Sequence, residues 1–403
     1  MAQYSCAFCT GADCATVITY AERQPDGALA PRSQTLVDGA KLTCGNQGGT
    51  FMTYPLPSSS PTGPHLSGVT QIAAGGNYAC AIRADKTVKC WGSFSLTSGT
   101  EGDPSSLDSV SFVAVGDGFA CAVKADGTVW CWGIDFQGQL GDQNIGGGRV
   151  STTPIQVPGI THARSLALGD NHACALLSDG TVMCWGAALL GQLGIGPTPL
   201  SLIVGGPTAV SGLVGVTSIT AAGAETCALL TDGMIECWGG RGVISATDLP
   251  SPTKIGGIDN VNSISLSAAA LCALLDDKTV QCWNASESGN AAGIGTTPVT
   301  MPGTAAVIKG LSAVSVLEQG DASACALQAG LVNCWGFVTV GSAVGRMPEV
   351  VPGVSGATSL ALGLGFTCAI VADGAVMCWG GNTRGQLGDG TSQSSTSPVY
   401  VLP

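Results

Sequence analysis

The feature that most constrains this chain is a sevenfold repeat of two cysteines, the second of which is followed directly by tryptophan. Successive copies start 41 to 53 residues apart. Self-similarity at such a period is typical of solenoids and propellers. We interpret these cysteines and tryptophans as structural, because residues copied in every unit build a scaffold. The copies are Cys80–Trp91, Cys121–Trp132, Cys174–Trp185, Cys227–Trp238, Cys272–Trp283, Cys325–Trp335 and Cys368–Trp379.

Each copy predicts a β-hairpin whose two cysteines face each other. In the third copy, apolar and β-branched residues flank the turn signal Ser178–Gly180. A three-residue loop there pairs Leu176 with Val182 and Cys174 with Cys184, at the separation that a disulfide needs. In the first and fifth copies Lys86 and Lys278 replace the turn glycine, which predicts some backbone strain.

The sixth copy is one residue shorter, and it keeps the same pairing. Its turn is Ala329-Gly330, so that Gln328 faces Leu331 and Cys325 faces Cys334. The deletion therefore falls in the turn and spares the cysteine pair. We predict seven disulfides, each within its own hairpin: Cys80–Cys90, Cys121–Cys131, Cys174–Cys184, Cys227–Cys237, Cys272–Cys282, Cys325–Cys334 and Cys368–Cys378.

Residues 1–65 depart from the repeat and predict a cysteine-stapled extension that ends in a Pro/Ser-rich linker. Four cysteines lie there: Cys6, Cys9, Cys14 and Cys44. They could hold zinc or an iron–sulfur cluster, but their spacing matches neither common cluster motifs nor paired zinc knuckles. Two further disulfides are the simpler interpretation, so we expect no metal and no other cofactor.

The cysteine content favours an oxidising compartment. The chain has 18 cysteines among 403 residues, an even number, so that no thiol need be left over. The first residues contain no basic stretch and no apolar core of a signal peptide, and we weigh the cysteines above this missing signal. No run of about 18 apolar residues occurs, so we expect no membrane span.

The repeats continue from residue 66 to residue 403. Each unit has a strand that ends in glycine, the cysteine hairpin, and a variable connection. The connections of the second, third and seventh units contain Gly-Gln-Leu-Gly, at Gly138–Gly141, Gly191–Gly194 and Gly385–Gly388. A Pro-led strand follows, as at Pro154–Val157. We expect the similar final segment, Ser397–Pro403, to insert into the first blade and close a ring.

These motifs resemble the repeats named for the regulator of chromosome condensation. The resemblance rests on Cys-Ala-Leu, Asp-Gly-Thr-Val, Cys-Trp-Gly and Gly-Gln-Leu-Gly-Asp, and it covers about residues 66–403. The paired cysteines resemble the version found in exported bacterial proteins. The resemblance implies an all-β fold, a seven-bladed β-propeller with four strands per blade. Members of the family differ in function, so the fold does not select among their activities.

No catalytic grouping emerges from the remaining residues. One tryptophan per unit at the same place indicates packing between blades rather than a ligand-stacking cluster. His172 occupies a position held by Tyr78, Phe119 and Phe366 in other units, which indicates a packing role. The alternating carboxylates of a calcium loop and the lysine of a P-loop are absent. We therefore expect the protein not to be an enzyme.

The charge balance disfavours nucleic acid as a partner. Fifteen basic residues against 27 acidic ones give a net charge of −12, which a phosphate backbone repels. It also disfavours anionic membrane surfaces. The expected partner is therefore a protein, or a second copy of the chain.

The function that the sequence favours is binding and scaffolding, by a secreted or cell-surface propeller. Two alternatives are a structural subunit of an extracellular assembly and a protein inhibitor of an enzyme. A GTPase exchange factor is disfavoured by the cysteines. Units four to six have lost Gly-Gln-Leu-Gly, which drift alone could explain. The sharper hypothesis is that the arc from Arg241 to Arg346 faces the partner, with Phe337 as its aromatic anchor.

Overall fold

The chain divides into two units, Met1–Gly63 and Pro64–Pro403. The computed structural model describes residues 16–23, 29–36, 42–45, 51–54, 63–94, 103–104, 107–145, 148–197, 203–240, 247–284, 305–320, 323–336 and 345–403. In the first unit the described strands form two antiparallel hairpins. These pair β1 (Thr16–Arg23) with β2 (Leu29–Leu36), and β3 (Leu42–Gly45) with β4 (Phe51–Tyr54).

The second unit consists of seven antiparallel sheets, the blades, whose strands follow chain order. Blade one has three described strands, and each of the other blades has four. Blade one contains β5 (Val69–Gly75), β6 (Tyr78–Arg83) and β7 (Val88–Gly92). Blade two contains β8 (Val110–Val115), β9 (Phe119–Lys124), β10 (Val129–Asp135) and β11 (Arg149–Gln156). Blade three contains β12 (Ala163–Leu168), β13 (His172–Leu177), β14 (Val182–Ala187) and β15 (Ile203–Ala209).

The remaining blades repeat this pattern. Blade four contains β16 (Val216–Ala222), β17 (Glu225–Leu230), β18 (Ile235–Gly239) and β19 (Leu249–Ile255). Blade five contains β20 (Val261–Leu266), β21 (Ala270–Leu275), β22 (Val280–Asn284) and β23 (Ala306–Val307). Blade six contains β24 (Val314–Gln319), β25 (Ser323–Gln328), β26 (Leu331–Gly336) and β27 (Gly345–Val350). Blade seven contains β28 (Ser359–Leu362), β29 (Phe366–Ile370), β30 (Val376–Gly380) and β31 (Ser395–Tyr400), with a short 3₁₀ turn at Ala372–Gly374.

The first strand of each blade is the innermost one. These seven strands contact one another in ring order, and β28 of blade seven lies beside β5 of blade one. The architecture is therefore a closed seven-bladed propeller, which confirms the all-β fold predicted from the repeats. Among the described residues, no helical segment has the length and apolar character needed to cross a bilayer.

The hairpin register agrees with the prediction. Cys174 faces Cys184 and Leu176 faces Val182. In the shorter sixth copy, Cys325 faces Cys334 and Gln328 faces Leu331. The turn residues Lys86 and Lys278 both have a φ of 67°, in the left-handed region where the other copies place glycine. The predicted local strain therefore lies at these two lysines.

The predicted closing strand was wrong. Residues of β31 pair with β30 of their own blade, Val399 facing Cys378 and Tyr400 facing Met377, rather than entering blade one. The Pro-led segment is the fourth strand of the blade that precedes it in the chain, as β11 is in blade two. The ring closes by side-to-side contact instead. There the Leu66 N–H donates to the Val401 carbonyl at 2.7 Å.

The core is divided into seven apolar clusters, one at each seam between neighbouring blades. Each cluster contains one tryptophan of the repeat, contributed by the later of the two blades. Trp185, for example, packs with Leu140 and Val157 of blade two and with Leu166 of its own blade. This confirms the prediction that the tryptophans pack between blades. In order from the seam of blades one and two to the closing seam, they are Trp132, Trp185, Trp238, Trp283, Trp335, Trp379 and Trp91.

Candidate protein-interaction surface

The two ends of the blades form two different faces of the ring. In blade two, one end carries the turn at residues 116–118 and the long connection at residues 136–148; we call it the connection face. The other end carries the hairpin turn at residues 125–128 and the linker at residues 157–162; we call it the turn face. All blades repeat this polarity, because their strands alternate in direction in the same order.

The Gly-Gln-Leu-Gly connections bind the tryptophan of the next blade. The indole N–H of Trp185 donates to the carbonyl of Gln139 at 3.0 Å. The same bond joins Trp238 to Gln192 at 2.9 Å, and Trp91 to Gln386 at 3.0 Å across the closing seam. A buried indole N–H needs such an acceptor. We call this arrangement the seam staple.

The other positions of the motif support the staple. The Gln139 side chain is buried, and its Oε1 accepts the backbone N–H of Gln137 at 2.7 Å, which closes the loop. Leu140 is fully buried in the seam. Gly141 has a φ of 72°, and a Cβ there would lie 2.6 Å from Nε1 of Trp185. The final glycine therefore leaves room for the indole ring.

Three of the other seams are different. The indole N–H groups of Trp132, Trp335 and Trp379 are buried and have no hydrogen-bond acceptor among the described residues. The preceding connections, after blades one, five and six, lack Gly-Gln-Leu-Gly. Parts of these connections, residues 95–102, 285–304 and 337–344, lie outside the described residues. The staple thus accompanies the motif wherever the motif occurs.

An ion-pair cluster fixes the connection of blade two. Asp135 is 4% exposed; its Oδ1 accepts the Leu140 N–H at 3.3 Å, and its Oδ2 accepts the Arg149 Nε–H at 3.0 Å. Arg149 also pairs with Asp142. The hydrogen bond to Asp142, together with the one to Asp135, raises the pKa of Arg149 above its ordinary value. These contacts hold both ends of the connection together.

In blade seven an amide takes the place of this ion pair. Asn382 is fully buried, and its Oδ1 accepts the Leu387 N–H at 3.0 Å. Its Nδ2 donates to Asp389 Oδ1 at 3.1 Å and to the Gln393 carbonyl at 3.0 Å. One buried polar side chain again organises the loop, with different chemistry.

The stapled connections of blades two and three expose large apolar side chains. Phe136 is 58% exposed and Leu189 is 63% exposed. Both lie three positions before the motif's glutamine, so that neighbouring blades present them from equivalent places. Ile145 and Val150 of blade two are also exposed. Apolar side chains on rigid loops are typical of protein-binding surfaces. We call these four residues the apolar patch.

The structure places the predicted site residues as follows. In each repeat the two cysteines of the hairpin lie at disulfide distance from each other. Cys44 lies in β3, and Cys6, Cys9 and Cys14 lie outside the described residues, as does Phe337. No cluster of three or more metal-ligating side chains occurs among the described residues.

His172 has the packing role that the sequence indicated. It is fully buried, and its Nε2 forms a 2.7 Å hydrogen bond with Thr226 Oγ1 of the next blade. Burial lowers the pKa of its imidazole to about 4. The ring is therefore neutral at physiological pH, and it acts as a polar seam contact rather than as an acid or base.

Carboxylates on the turn face are occupied by turn formation. Asp126 Oδ1 accepts both the N–H and the hydroxyl of Thr128, at 2.9 and 2.6 Å. These hydrogen bonds lower the pKa of Asp126. Asp85, Asp179 and Asp277 have their pKa lowered by the equivalent threonines. These aspartates cap turns.

Comparison with known proteins agrees with this architecture. The "Regulator of chromosome condensation (RCC1) repeat" family matches residues 69–96, 110–139, 163–192 and 357–386 in one form, and residues 126–176 and 373–403 in another. These matches fall on blades one, two, three and seven of the propeller.

Individual relatives match over part of their length. The ultraviolet-B receptor UVR8 of Arabidopsis thaliana is 36% identical over 91 residues, which is 22% of this chain and 20% of the receptor. The human E3 ubiquitin-protein ligase HERC2 is 30% identical over 288 residues, which is 66% of this chain but 6% of the ligase. The chain thus corresponds to a small part of either relative.

Solved structures share the fold. Human WBSCR16 superposes with a TM-score of 0.66 at 20% identity, covering 82% of this chain and 91% of that one. Prp20p of Saccharomyces cerevisiae superposes with a TM-score of 0.57 at 19% identity, covering 70% of this chain and 76% of that one. At these identities the likeness concerns architecture alone.

Proposed function

We propose that this propeller is a non-enzymatic protein-binding module of an oxidising compartment, and that its apolar patch contacts the partner. The observation that carries the proposal is the pair Phe136 and Leu189, which adjacent blades expose from equivalent positions on stapled loops. A rigid scaffold lowers the entropy lost on binding, and central apolar anchors supply most of the affinity.

Relatives and charge support a protein partner. Yeast Prp20p binds Gsp1p and histones, and yeast RCC1 (Prp20) also forms a complex with Kap60. The net charge of −12 disfavours a nucleic-acid partner for this chain. The cysteine pairs favour a secreted or cell-surface location, where disulfides persist.

The experiment replaces both patch residues with aspartate. A Phe136→Asp/Leu189→Asp variant and the wild-type chain are immobilised and exposed to the native extracellular fraction. The captured protein is identified, purified and titrated by calorimetry against both forms. We expect the variant to lose at least about tenfold in affinity without a change in its melting temperature.

Val214→Asp is the matched control. Val214 is 82% exposed and lies in the linker on the turn face, so this variant adds one aspartate on the opposite side of the ring, against two in the double variant. If Val214→Asp lowers the affinity as much as the double variant does, the connection face is not the binding surface.

Non-reducing peptide mapping tests the compartment. We expect all seven hairpin pairs as disulfides in protein isolated from its native source. A free thiol at these positions, or a bond between blades such as Cys90–Cys121, would contradict the proposal.

A structural subunit that associates with its own kind is the second candidate. The observation that favours it is the exposure of Val307, Met347 and Val350, on the outer strands of blades five and six. Outer strands have an unpaired edge that another chain can extend. Phe337, the proposed anchor, follows β26 in the same arc. Phe337→Asp should then prevent self-association in sedimentation experiments, while the apolar-patch variant should leave it unchanged.

A further inference from the structure

One position in the ring of inner strands breaks the sevenfold pattern. In every blade, one residue of the inner strand faces the first cysteine of the hairpin. Six of these residues are small, and the seventh is Glu318, which faces Cys325. The small residues are Ala73, Ala114, Ala167, Thr220, Ser265 and Ala361.

Glu318 lies at the inner edge of the seam between blades six and seven. Its neighbour Leu317 packs into the apolar cluster between blades five and six. Val316, two residues before Glu318, packs against the cluster between blades six and seven. Alternate residues of a strand share a face, so Glu318 points to the same side as Val316.

The carboxylate of Glu318 has no compensating group. Among the described residues it makes no hydrogen bond and no ion pair, and the strands packed against β24, namely β20, β21, β25 and β28, contain no ionisable side chain other than bonded cysteines. The polar neighbour Gln319 is already engaged, because its Nε2 donates to the Ser265 carbonyl at 2.8 Å and its Oε1 accepts from Ser267 Oγ at 2.9 Å.

This environment disfavours an isolated negative charge. Desolvation raises the pKa of Glu318 to about 7. An unpaired carboxylate in such surroundings is destabilising, and a bound cation relieves the cost. Unlike Leu317, Glu318 remains partly accessible, so that a ligand from solvent can reach it.

The ring becomes tight just beyond Glu318. Two residues further along the chain is Gly320, where a Cβ would lie 2.9 Å from the Gly363 carbonyl of the next blade. A Cβ at Gly116 would lie 2.7 Å from the Gly169 carbonyl. The backbones of neighbouring blades therefore approach each other closely at these glycines.

We propose that Glu318 anchors an aliphatic ammonium group at the inner edge of the seam between blades six and seven, carried either by a small amine or by a lysine side chain. A single carboxylate suits a monovalent organic cation, whereas divalent metals require several oxygen ligands. The net charge of −12 favours cations around the protein. The site is separate from the apolar patch and does not depend on the function proposed for that patch.

Butylammonium and its neutral counterpart 1-butanol are the probes. Each is titrated at pH 8 into the full chain while the melting temperature is followed. We expect a saturable rise with butylammonium and none with 1-butanol. In Glu318→Gln the apparent affinity for butylammonium should fall at least about tenfold. Glu349→Gln, which makes the same change at an exposed position on β27 of the same blade, should bind as wild type does. Equal binding by Glu318→Gln and wild type would overturn the proposal.

A lysine-containing peptide, used as a third probe, distinguishes the two sources of the ammonium group. Acetyl-Gly-Gly-Lys-Gly-Gly-amide should bind more tightly than butylammonium if a partner's lysine is the ligand. If the small amine binds and the peptide does not, the ligand is a small amine.

A titration that does not depend on stability gives a second readout. In protein labelled with ¹³C-glutamate, the carboxyl signal missing from Glu318→Gln identifies Glu318. We expect its titration midpoint to fall when butylammonium is added, because the cation stabilises the charged form. A midpoint that butylammonium leaves unchanged would contradict the site.

Discussion

Stapled and unstapled seams solve the same packing problem in different ways. At the seams that follow blades two, three and seven, the indole N–H is bonded to a glutamine carbonyl, and a glycine makes room for the ring. At the seams that follow blades one, five and six, the same tryptophan is buried without an acceptor among the described residues. The apolar packing therefore suffices to form a seam, and the staple adds a polar bond and a fixed connection.

The seams with and without the staple also lie beside different candidate sites. The stapled connection of blade two carries the Asp135–Arg149 pair and exposes Phe136. The arc without the motif contains Glu318, which breaks the pattern of small residues in the inner ring. Glu318 thus departs from the inner-strand pattern in a blade whose connection lacks the motif.

Damage to the closing seam should destabilise the propeller most. Deletion of Pro398–Pro403 removes half of β31 and the buried Val401, whose carbonyl accepts from Leu66. We expect a loss of at least about 4 kcal/mol in the free energy of unfolding. Deletion of Leu402–Pro403 alone, where Leu402 is 43% exposed, is the control and should cost much less. Urea denaturation measures both, and similar losses would show that Val401 does not secure the ring.

Substitution of Gly141, the final glycine of the seam staple, should cause the second-largest loss of stability. Gly141→Ala forces a Cβ against the Trp185 indole and also requires a φ of 72°, so we expect a loss of about 3 kcal/mol. Gly159→Ala has a φ of 82° but no atom within 4 Å of the new Cβ. It should cost about 1 kcal/mol, from backbone strain alone. Equal losses in the two variants would mean that the indole does not crowd the glycine.

Glu318 lies in blade six, whose connection lacks the motif, and it should make the stability of the propeller depend on pH. Its pKa is raised from 4.5 to about 7 in the folded state, so the folded protein holds this proton more tightly than the unfolded chain does. Its contribution to stability is greatest below pH 4.5 and is lost as the pH rises to 7. Glu318→Gln should therefore match wild type at pH 4.

At pH 8 the same variant should be more stable than wild type by about 2 kcal/mol. This is less than the full shift implies, because solvent screens the partly accessible carboxylate. Denaturant unfolding at both pH values measures the difference between variant and wild type, so that other carboxylates cancel. A stability difference that does not change with pH would contradict the shifted pKa.

The smallest expected effect comes from removing the hydrogen bond of the seam staple alone. Trp185→Phe and Trp379→Phe remove the same atoms from equivalent seams, but only Trp185 has an acceptor, the Gln139 carbonyl, among the described residues. We expect Trp185→Phe to cost about 1 kcal/mol more, because it leaves that carbonyl unsatisfied. Chemical denaturation of both variants provides the measurement. A larger loss at Trp379 would show that the staple contributes nothing at its seam.

Local sequence was enough to specify the blades. Hairpin register depends on residues within one turn of each other, so Cys174 had to face Cys184 once the turn was placed at Ser178–Gly180. The sixth copy kept its pairing for the same local reason. The number of blades followed from counting the copies, and the seam position of each tryptophan followed from its recurrence.

The contacts between neighbouring blades, by contrast, are determined by the closed ring. The staple between Trp91 and Gln386 connects residues 295 positions apart, and the one between Trp185 and Gln139 spans 46. The isolation of Glu318 likewise depends on which blades become neighbours. Local patterns specify a hairpin because its partners are close in the chain. Seam contacts depend on the curvature and closure of the whole ring, which no short stretch of sequence contains.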